Sequence, residues 1–371
     1  MEFIVNKSDL VRELNLSQGV VEKKTTIPIL SNVLVEAKDG RVELTATDLE
    51  LGIRCSCPAK VKKEGAGTIP AKRLLDYVRL LPDTELTVKF LENHWAGITC
   101  GRSRTKIAGM SRESFPELPP MPEPIAEFRT SLLSSMISKT IFAISTEESR
   151  FTLNGALLLL KPDGVVMVST DGHRLAYVET TGDGVQNSKP FRVLVPRKAM
   201  GEIVKLSQEG GADATAVIAG DENHLFFKIG GRLLITRKLT GNFPDFERVL
   251  PKDNVHTATL QREEIKAAVQ RVAQFADERS RAIRVQFMPG ELKVFTSSVE
   301  TGESEESVSS SYSGPEIEIG FNAQYLLDFL GAVSQEQVAF EMKDKTSAGE
   351  MRPACDPDNY RYRYVVMPMR I

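Results

Sequence analysis

PAKRLLDYVRLL at residues 70–81 has two counterparts further along the chain, PRKAMGEIVKLS at 196–207 and NAQYLLDFLGAV at 322–333. Each stretch opens on a polar or proline residue and continues with apolar residues at helical spacing, which predicts three helices. Equivalent positions in consecutive stretches are 125 residues apart, as Lys72 and Arg197 are. A period of this length indicates a threefold internal repeat, and the predicted fold is built on it.

Two further features recur in each repeat. A second helical segment precedes each of the stretches above, and the three segments lie at residues 7–25, 129–145 and 261–276. Between the two helices of every repeat, two runs of alternating apolar residues flank a glycine turn, which predicts a β-hairpin. The predicted turns are Asp39-Gly40, Asp163-Gly164 and Pro289-Gly290.

Proline-rich stretches at residues 118–124 and 250–254 indicate linkers between the repeats. The sequence therefore predicts three copies of one α+β domain, which we assign to residues 1–125, 126–252 and 253–371. A single large α/β domain would need helices that alternate regularly with buried parallel strands, and that pattern is absent.

The composition is that of an ordinary globular protein. Lys and Arg number 47 and Asp and Glu number 50, which gives a net charge of −3, and 41% of the residues are apolar. A chain of this composition can bury ordinary globular cores. The composition therefore excludes disordered, collagen-like and coiled-coil proteins. No apolar run approaches the roughly 18 residues of a membrane span, and the first residues lack the pattern of a signal peptide. We therefore expect a cytoplasmic protein with no membrane partner.

The cysteines favour neither a disulfide framework nor a metal site. They are few and scattered: Cys55, Cys57, Cys100 and Cys355. Cys55 and Cys57 lie in an alternating stretch that would place both on one face of a strand. The four histidines are far apart in the sequence, so a metal site lacks further nearby ligands. We expect reduced strand cysteines, no bound metal and no cofactor.

The one fragment that suggests catalysis is TDGHRLAY at residues 170–177, where Asp171 and His173 could form an acid–base pair. The first repeat has TDLELGIR at residues 47–54, with Asp48 but without a histidine. A shared Thr-Asp pair is more typical of a turn in which the aspartate accepts backbone N–H bonds. Phosphate-binding and nucleophile-elbow motifs are absent as well. The alternative of an uncharacterised enzyme stays open with Asp171 and His173 as its candidate residues.

Several motifs resemble the family of bacterial DNA polymerase III β sliding clamps, in the right order and along the whole chain. They are IPIL (27–30), TDLE (47–50), GRSR (101–104), TDGHRLA (170–176), VPRK (195–198), FPDFERVLP (243–251) and YVVMPMRI (364–371). The resemblance implies a head-to-tail homodimer of three-domain chains, a ring with helices inside and β-sheets outside. It also implies a non-catalytic subunit of the DNA polymerase III holoenzyme, a processivity factor that encircles duplex DNA without sequence preference.

The charge distribution is compatible with a pore for DNA. Counted over residues 7–24, 71–81, 129–145, 196–206, 261–279 and 322–333, the six helical segments carry a net +6, and the rest of the chain carries −9. In the family that this sequence resembles, residues on the inner face of the ring contact DNA. The matching positions in this sequence are Lys24, Arg73, Phe151, Arg197 and Lys198. Two alternatives stay open: helices commonly contain Lys and Arg, and a non-ring DNA-binding module would also be basic in places.

Two strand-like stretches have opposite charge. GRSRTKI at residues 101–107 is basic, and ETGESEE at residues 300–306 is acidic. Complementary edges can pair, while like charges resist self-pairing. Taken alone, each charged strand is more often just a solvated edge, and that alternative stays open. Because the two signs are opposite and occur in the terminal repeats, we expect a dimer interface there, with Phe275 as its apolar anchor. Its charged members are Arg102, Arg104, Lys106, Glu300, Glu303, Glu305 and Glu306.

The apolar C-terminal stretch is either a buried terminal strand or part of an adaptable groove for linear peptides. The resemblance implies the groove, which in the family takes a short motif rich in Gln, Leu and Phe from polymerases, the clamp loader and repair proteins. The matching positions are Arg150, Leu153, Thr170, Gly172, His173, Arg174, Leu175, Pro244, Arg248, Val249, Val365, Val366, Met367, Pro368 and Met369. Thr346 and Ala348 lie where the family has pocket-lining residues, in a stretch that aligns weakly.

Overall fold

The computed structural model describes residues 1–21, 26–182, 185–187, 190–211, 214–356 and 359–370. Contacts divide the chain into two compact units. Unit 1 comprises Met1–Ser134 with Lys198–Lys238, and unit 2 comprises Ser135–Arg197 with Leu239–Ile371. Each unit combines segments from more than one sequence repeat. Within the ranges given above, no helix has the length and apolar character needed to cross a membrane.

Six α-helices in the described residues lie at the six predicted helical segments. They are α1 (Lys7–Val20), α2 (Ala71–Leu80), α3 (Thr130–Thr140), α4 (Arg197–Glu209), α5 (Arg262–Val272) and α6 (Ala323–Ala332). Helix α2 shows why they form: Leu74, Leu75 and Val78 follow helical spacing, and all three are buried on one face. Residues 22–25, the end of the first predicted segment, lie outside the described residues.

The remaining regular structure is β-strand. In chain order the described strands are β1 (Glu2–Asn6), β2 (Asn32–Lys38), β3 (Arg41–Thr47), β4 (Leu51–Pro58), β5 (Lys60–Lys63), β6 (Gly65–Pro70), β7 (Glu85–Phe90), β8 (Trp95–Cys100), β9 (Ser103–Ala108), β10 (Pro124–Arg129), β11 (Gly155–Lys161), β12 (Gly164–Thr170), β13 (Arg174–Thr181), β14 (Val185–Asn187), β15 (Phe191–Pro196), β16 (Thr215–Gly220), β17 (His224–Ile229), β18 (Arg232–Arg237), β19 (His256–Gln261), β20 (Ala282–Met288), β21 (Glu291–Ser298), β22 (Gly302–Ser309), β23 (Ile317–Asn322), β24 (Gln337–Met342), β25 (Gly349–Pro353) and β26 (Tyr360–Val366). The combination confirms the predicted α+β class.

Unit 1 contains strands of two antiparallel sheets. One sheet has the order β5-β1-β7-β8-β9, which leaves β9 at an edge. In the other, the strands of unit 1 run β10-β16-β17-β18-β4-β3-β2-β6. Strand β18 pairs with β4 from Leu233↔Arg54 to Thr236↔Leu51, which joins the second repeat to the first in one sheet.

Unit 2 is built in the same way. Its larger sheet has the order β15-β11-β12-β13-β26-β25-β24-β19, and its smaller sheet has the order β22-β21-β20-β23. Strand β13 of the second repeat pairs with β26 of the third, from Arg174↔Val366 to Thr180↔Tyr360. Because strands from two repeats share one sheet, the compact units do not follow the linkers. The boundaries after residues 125 and 252 stay predictions about the repeat.

The predicted hairpins form, with one shift. Strands β2 and β3 are joined by Asp39 and Gly40, whose φ angles of 49° and 73° are those of a type I′ turn. Strands β20 and β21 are joined by Pro289-Gly290, as predicted. Between β11 and β12 the turn lies one residue earlier than predicted, because Lys161 pairs with Gly164. Pro162 then takes the first central position, where its fixed φ is favourable.

Cys55 and Cys57 confirm the prediction of reduced strand cysteines. Both lie on β4, both are buried on the same face, and neither forms a disulfide. Burial raises the pKa of the Cys55 thiol, and it raises the pKa of Cys57 to about 12. Protonated, buried thiols are poor nucleophiles and poor metal ligands. These residues therefore pack as small apolar side chains.

A buried ion pair joins α1 of the first repeat to β18 of the second within unit 1. The Glu13 side chain is 1% exposed and Arg232 is 12% exposed. Arg232 donates from Nε and Nη2 to the two carboxylate oxygens of Glu13 at 2.9 and 2.8 Å, and Arg12 donates a third bond at 3.0 Å. Burial raises the pKa of Glu13, but the bonds from Arg232 and Arg12 outweigh it, so the pKa is lowered.

Substituting Glu13→Gln is expected to lower the free energy of unfolding by about 3 kcal/mol, because it leaves the Arg232 charge buried and unpaired. Urea denaturation at neutral pH measures this, with Glu85→Gln at the exposed Lys60–Glu85 pair as a control that should change stability by less than about 1 kcal/mol. The lowered Glu13 pKa adds stability above the ordinary Glu pKa of about 4.3, and acidification through the folded-state pKa removes it. Equal stability of the Glu13→Gln and Glu85→Gln variants would contradict a stabilising role for the buried Glu13–Arg232 pair.

Candidate functional site

Residues Thr170–Arg174 form a turn between β12 and β13, which we call the second-repeat turn. Asp171 Oδ1 accepts the backbone N–H groups of His173 and Arg174 at 2.9 and 3.0 Å. Thr170 Oγ1 accepts the N–H of Gly172 at 3.1 Å and donates to the carbonyl oxygen of Arg174 at 2.6 Å. Gly172 has a φ of +90°, a conformation that favours glycine. The Thr-Asp pair therefore builds a turn, as predicted.

The same turn occurs in the first repeat, at residues 47–51, which we call the first-repeat turn. Asp48 Oδ1 accepts the N–H groups of Glu50 and Leu51 at 2.9 and 2.6 Å. Since Asp48 performs this role without a histidine, the role of Asp171 in the turn requires no catalytic partner. The geometry does not support the alternative of an enzyme that uses Asp171 and His173.

The second-repeat turn adjoins an apolar cluster of unit 2. Three of the predicted groove residues are buried in this cluster, namely Leu153, Leu175 and Val365. Val249 and Ala348 pack against it as partly buried members. The cluster meets the turn through β13 and the C-terminal strand, because Leu175 pairs with Val365.

The C-terminal residues that follow β26 start beside the second-repeat turn. The N–H of Met367 donates to the carbonyl oxygen of His173 at 2.9 Å, and the N–H of Met369 donates to that of Gly320 at 2.8 Å. Met367 is exposed, while Pro368 and Met369 are half-buried. Val366, just before them, is buried in β26. Apolar side chains that are neither fully buried nor scattered can bind an apolar ligand.

The other residues predicted for the groove differ in exposure and in their bonding partners. Pro244 and Arg248 are exposed, and Arg248 pairs with Asp245. Arg150 donates to the carbonyl oxygen of Asp171 at 2.8 Å and pairs with Glu147. Arg174 is largely buried and its guanidinium is bonded within unit 2.

Sequence reasoning missed two aromatic members of the cluster. Phe243 and Phe246 are buried in it, and the Phe246 ring lies 5.9 Å from that of Tyr177. Phe243 lies in irregular backbone before the short 3₁₀ helix that begins at Phe246, so no regular periodicity in the sequence pointed to the pair. Thr346, by contrast, belongs to a local turn, where bonds from its N–H and hydroxyl lower the pKa of Asp344 to about 2.

The residues predicted to contact DNA are exposed where they are described. Arg73 lies on the first turn of α2, and Arg197 opens α4. Phe151 is 69% exposed in a short 3₁₀ helix. Lys198 is exposed but forms an ion pair with Asp48 of the first-repeat turn. Lys24 lies outside the described residues.

The basic stretch predicted for the dimer interface forms an edge strand. Strand β9 pairs with β8 at one side and is the last strand of its sheet. Arg104 and Lys106 are exposed on one face of β9, while Ile107 on the other face is buried. Arg102 is exposed in the preceding turn. Among the described strands, none pairs with the outer side of β9, so this edge presents positive charge beside backbone groups that a further strand could pair with.

The acidic stretch forms the edge strand β22 of the smaller sheet in unit 2. Glu303 and Glu305 are exposed on one face of β22, and Glu300 is exposed in the turn before it. Glu306 lies on the opposite face, where Arg271 of α5 donates to both of its oxygens at 2.7 and 2.8 Å.

The Phe275 ring is an apolar group beside this edge. It is 38% exposed, and its carbonyl oxygen accepts the hydroxyl of Thr301 at 2.6 Å. Phe275 therefore lies where β22 begins, next to the acidic side chains. Strand β22 thus combines negative charge, an apolar neighbour and an outer side with which no described strand pairs.

The chain is similar to known proteins along its whole length. Family models for the DNA polymerase III beta subunit match in sequence order: the N-terminal domain at residues 1–119, the central domain at 127–245 and the C-terminal domain at 247–370. The chain is 33% identical to the beta sliding clamp of Chlamydia muridarum over 372 residues, which covers 100% of this chain and 99% of that protein. It is 34% identical to the beta sliding clamp of Pseudomonas aeruginosa over 373 residues, with 100% of both covered.

Solved structures agree with these similarities. The crystal structure of the DNA polymerase III subunit beta from Pseudomonas aeruginosa matches with a TM-score of 0.92 at 33% identity, over 100% of both chains. The DNA polymerase sliding clamp from Caulobacter crescentus matches with a TM-score of 0.91 at 34% identity, again over 100% of both chains. The similarity therefore extends over the whole fold and the whole sequence.

Proposed function

The chain belongs to the family of DNA polymerase III beta subunits, the beta sliding clamps, and from this we propose that two copies close head to tail into a ring around duplex DNA. The function of the family is DNA polymerase processivity, and its members are non-catalytic subunits. The protein is thus a processivity factor. Its ring, its DNA contacts and its peptide partners are the proposed part.

The observation that carries the ring is the pair of oppositely charged edge strands. Strand β9 is basic and β22 is acidic, and each lies at the edge of its own sheet. Two copies of β9 would repel each other, and so would two copies of β22, whereas β9 of one chain and β22 of another attract. When a contact joins two different surfaces, repeating it gives a closed ring if the rotations between successive copies add up to a full turn. Two such contacts close a dimer.

DNA would be held by topology more than by affinity. A protein that neutralises 6–10 phosphates loses roughly 10³–10⁵ in affinity between 50 and 200 mM salt. The helical segments carry only a net +6 in a chain of net charge −3. Weak, exchangeable contacts through Arg73, Arg197 and Phe151 permit sliding. Lys198 would join them only after it leaves Asp48.

The proposed partners bind at the apolar cluster and the C-terminal residues of unit 2. A short peptide rich in Gln, Leu and Phe offers apolar side chains to the Met367–Met369 segment and polar atoms to the exposed His173. The replicative polymerase, the clamp loader, other polymerases and repair proteins would compete for this one groove. Because the proposed ligand is chromosomal DNA, the proposed place of action is the bacterial cytoplasm.

The ring predicts a specific dependence on DNA topology. The protein is loaded onto nicked circular DNA with a clamp loader and ATP and washed in high salt, and half of the sample is then linearised with a restriction enzyme. We expect retention on the circle and release from the linear form, because a ring slides off a free end. The matched control is a restriction enzyme without a site on the circle, which should release nothing.

Two results would reject the ring. Equal retention on circular and linear DNA after the wash would indicate an ordinary DNA-binding module with tight phosphate contacts. Loss from both circular and linear DNA in high salt would indicate an ordinary DNA-binding module with weaker phosphate contacts. Either result would leave the family assignment standing and remove the topological mechanism from this chain.

A further inference from the structure

Lys198, one of the residues proposed to contact DNA, is paired with a carboxylate of the same chain. Its ammonium group donates to Asp48 Oδ2 within unit 1. The Lys198 side chain is 47% exposed, whereas the Asp48 side chain is 6% exposed. The lysine can therefore turn toward solvent without a change in the backbone, while the carboxylate is enclosed.

Asp48 is held in place by the backbone of the first-repeat turn. Its Oδ1 accepts the N–H groups of Glu50 and Leu51 at 2.9 and 2.6 Å. Its own N–H donates to the carbonyl oxygen of Leu51 at 3.0 Å. These three bonds build the turn without Oδ2. The bond between Oδ2 and Lys198 is thus an addition to the turn, and it connects the turn to helix α4 of the second repeat.

The second-repeat turn differs at this point. There, Oδ2 of Asp171 accepts Nε of Arg174 at 3.0 Å, so the turn supplies the partner of its own aspartate. Leu51 occupies the position of Arg174, because each is the first residue of the strand that follows and each donates its N–H to the aspartate of its turn. A leucine side chain has no donor. Oδ2 of Asp48 is therefore available to the lysine on α4.

The pair limits what a DNA contact through Lys198 can contribute. A phosphate that binds this lysine replaces one anionic partner with another, and it leaves the Asp48 carboxylate unpaired close to the DNA. A lysine that binds a phosphate releases counterions from the DNA, which makes the affinity depend on salt. Asp48 offsets part of this release, because the carboxylate attracts a cation from solution when the lysine leaves it. A contact of this kind is weak and easily exchanged.

We propose that Asp48 is an internal competitor of the DNA phosphates: its carboxylate holds Lys198 in the DNA-free protein, and this competition lowers the affinity for DNA so that the protein slides. The inference rests on the proposed DNA-binding function and deepens it. It assigns a role in that function to a residue that lies in a turn of the β-sheet.

The test is the affinity of the full-length protein for DNA in an Asp48→Asn variant. This change keeps an oxygen for the backbone N–H groups of the turn and removes the charge. The probe is a fluorescein-labelled linear duplex of about 30 base pairs, followed by fluorescence anisotropy between 50 and 200 mM salt. We expect about fivefold tighter binding at 50 mM salt, because Lys198 no longer has to leave an ion pair.

The salt dependence gives a readout that a merely structural ion pair would not change. For each Lys198 that gains a phosphate contact, the slope of log affinity against log salt should become steeper by about 0.9. In the Lys198→Ala background, Asp48→Asn should produce neither the tighter binding nor the steeper slope. Thermal melts establish that each variant is folded at the assay temperature. Asp48→Ser, which also keeps an oxygen acceptor for the turn, replaces Asp48→Asn if the latter is unfolded.

The matched control is Asp221→Asn, in the turn between β16 and β17 of unit 1. Asp221 Oδ1 accepts the N–H groups of Asn223 and His224 at 2.8 and 2.6 Å, as Asp48 does in its own turn, but its ion-pair partner is the His224 side chain. This variant removes the same charge from the same kind of turn without freeing a lysine. It should leave both the DNA affinity and the slope unchanged.

The outcomes separate this inference from the proposed ring. Unchanged affinity and slope in folded Asp48→Asn would overturn the competition, whatever the result with circular and linear DNA. A gain that persists in the Lys198→Ala background, or an equal gain in Asp221→Asn, would indicate a general loss of negative charge and would overturn it as well. Equal retention on circular and linear DNA would instead reject the ring and leave the result at Lys198 standing.

Discussion

Deletion of residues 367–371 is expected to weaken binding of a fluorescein-labelled peptide rich in Gln, Leu and Phe at least a hundredfold, and with it binding of the replicative polymerase and the clamp loader. The deletion removes the exposed Met367 and the half-buried Met369, and a few such central apolar side chains commonly carry most of the affinity of an interface. It also removes the N–H that donates to the carbonyl oxygen of His173. Anisotropy with the peptide and a pull-down with purified polymerase measure the effect.

The deletion should leave the dimer intact. Met369 donates to Gly320 on β23, and β23 lies at the opposite end of its sheet from β22. Light scattering at low micromolar concentration should therefore give an unchanged mass. Met367→Ala is a milder matched variant, and its loss of peptide affinity should be smaller than that of the deletion. A truncated protein that still binds the peptide with full affinity would place the ligand elsewhere.

Reversing charge on the acidic edge is expected to weaken the dimer at least a hundredfold. In a Glu303→Lys, Glu305→Lys variant, β22 would present positive charge to the Arg104 and Lys106 side chains of β9. Like charges opposed across an interface cost several kcal/mol, and a hundredfold corresponds to about 2.7 kcal/mol. Sedimentation over a concentration series measures the dimer dissociation constant.

Two further variants make this test specific. Adding Arg104→Glu and Lys106→Glu to the same chain restores opposite signs and should recover most of the dimer affinity. The matched control is Glu316→Lys with Glu318→Lys, the same charge change at exposed positions at or next to β23, the other edge of the sheet. An unchanged dimer in the Glu303 and Glu305 variant, or a control that weakens the dimer equally, would remove the charged edges from the interface.

The acidic residues predicted for the interface lie on two faces of β22, which the strand pattern could have revealed. Residues at i and i+2 share a face of a strand, so Glu303 and Glu305 belong together and Glu306 does not. Glu306 lies on the face that packs toward α5, where Arg271 binds it. The sequence contains this alternation, but the partner on α5 lies 35 residues earlier, at a distance that local reasoning does not span.

The groove was harder to predict than the edges. Residues were assigned to it by resemblance, and the exposed state of Pro244 or the burial of Leu175 could not be read from their neighbours. Arg174 is the clearest case, because its three hydrogen-bond partners come from Phe142, Asp171 and Asp328. Only Asp171 is close in sequence.

Local sequence patterns were enough to predict the repeat, the six helices, the hairpins and the opposite charge of the two terminal edges. The repeat was found by comparing stretches 125 residues apart. The helices, the hairpins and the charge of each edge depend on residues within about a dozen positions of one another, where periodicity and turn chemistry act directly. Long-range packing, in contrast, selects which strands of neighbouring repeats share a sheet, and it brings Arg174 to α6 where Leu51 has no equivalent contact. Pairings such as β4 with β18 and β13 with β26 join residues more than 170 positions apart, and their choice is set by the burial of whole sheet faces together.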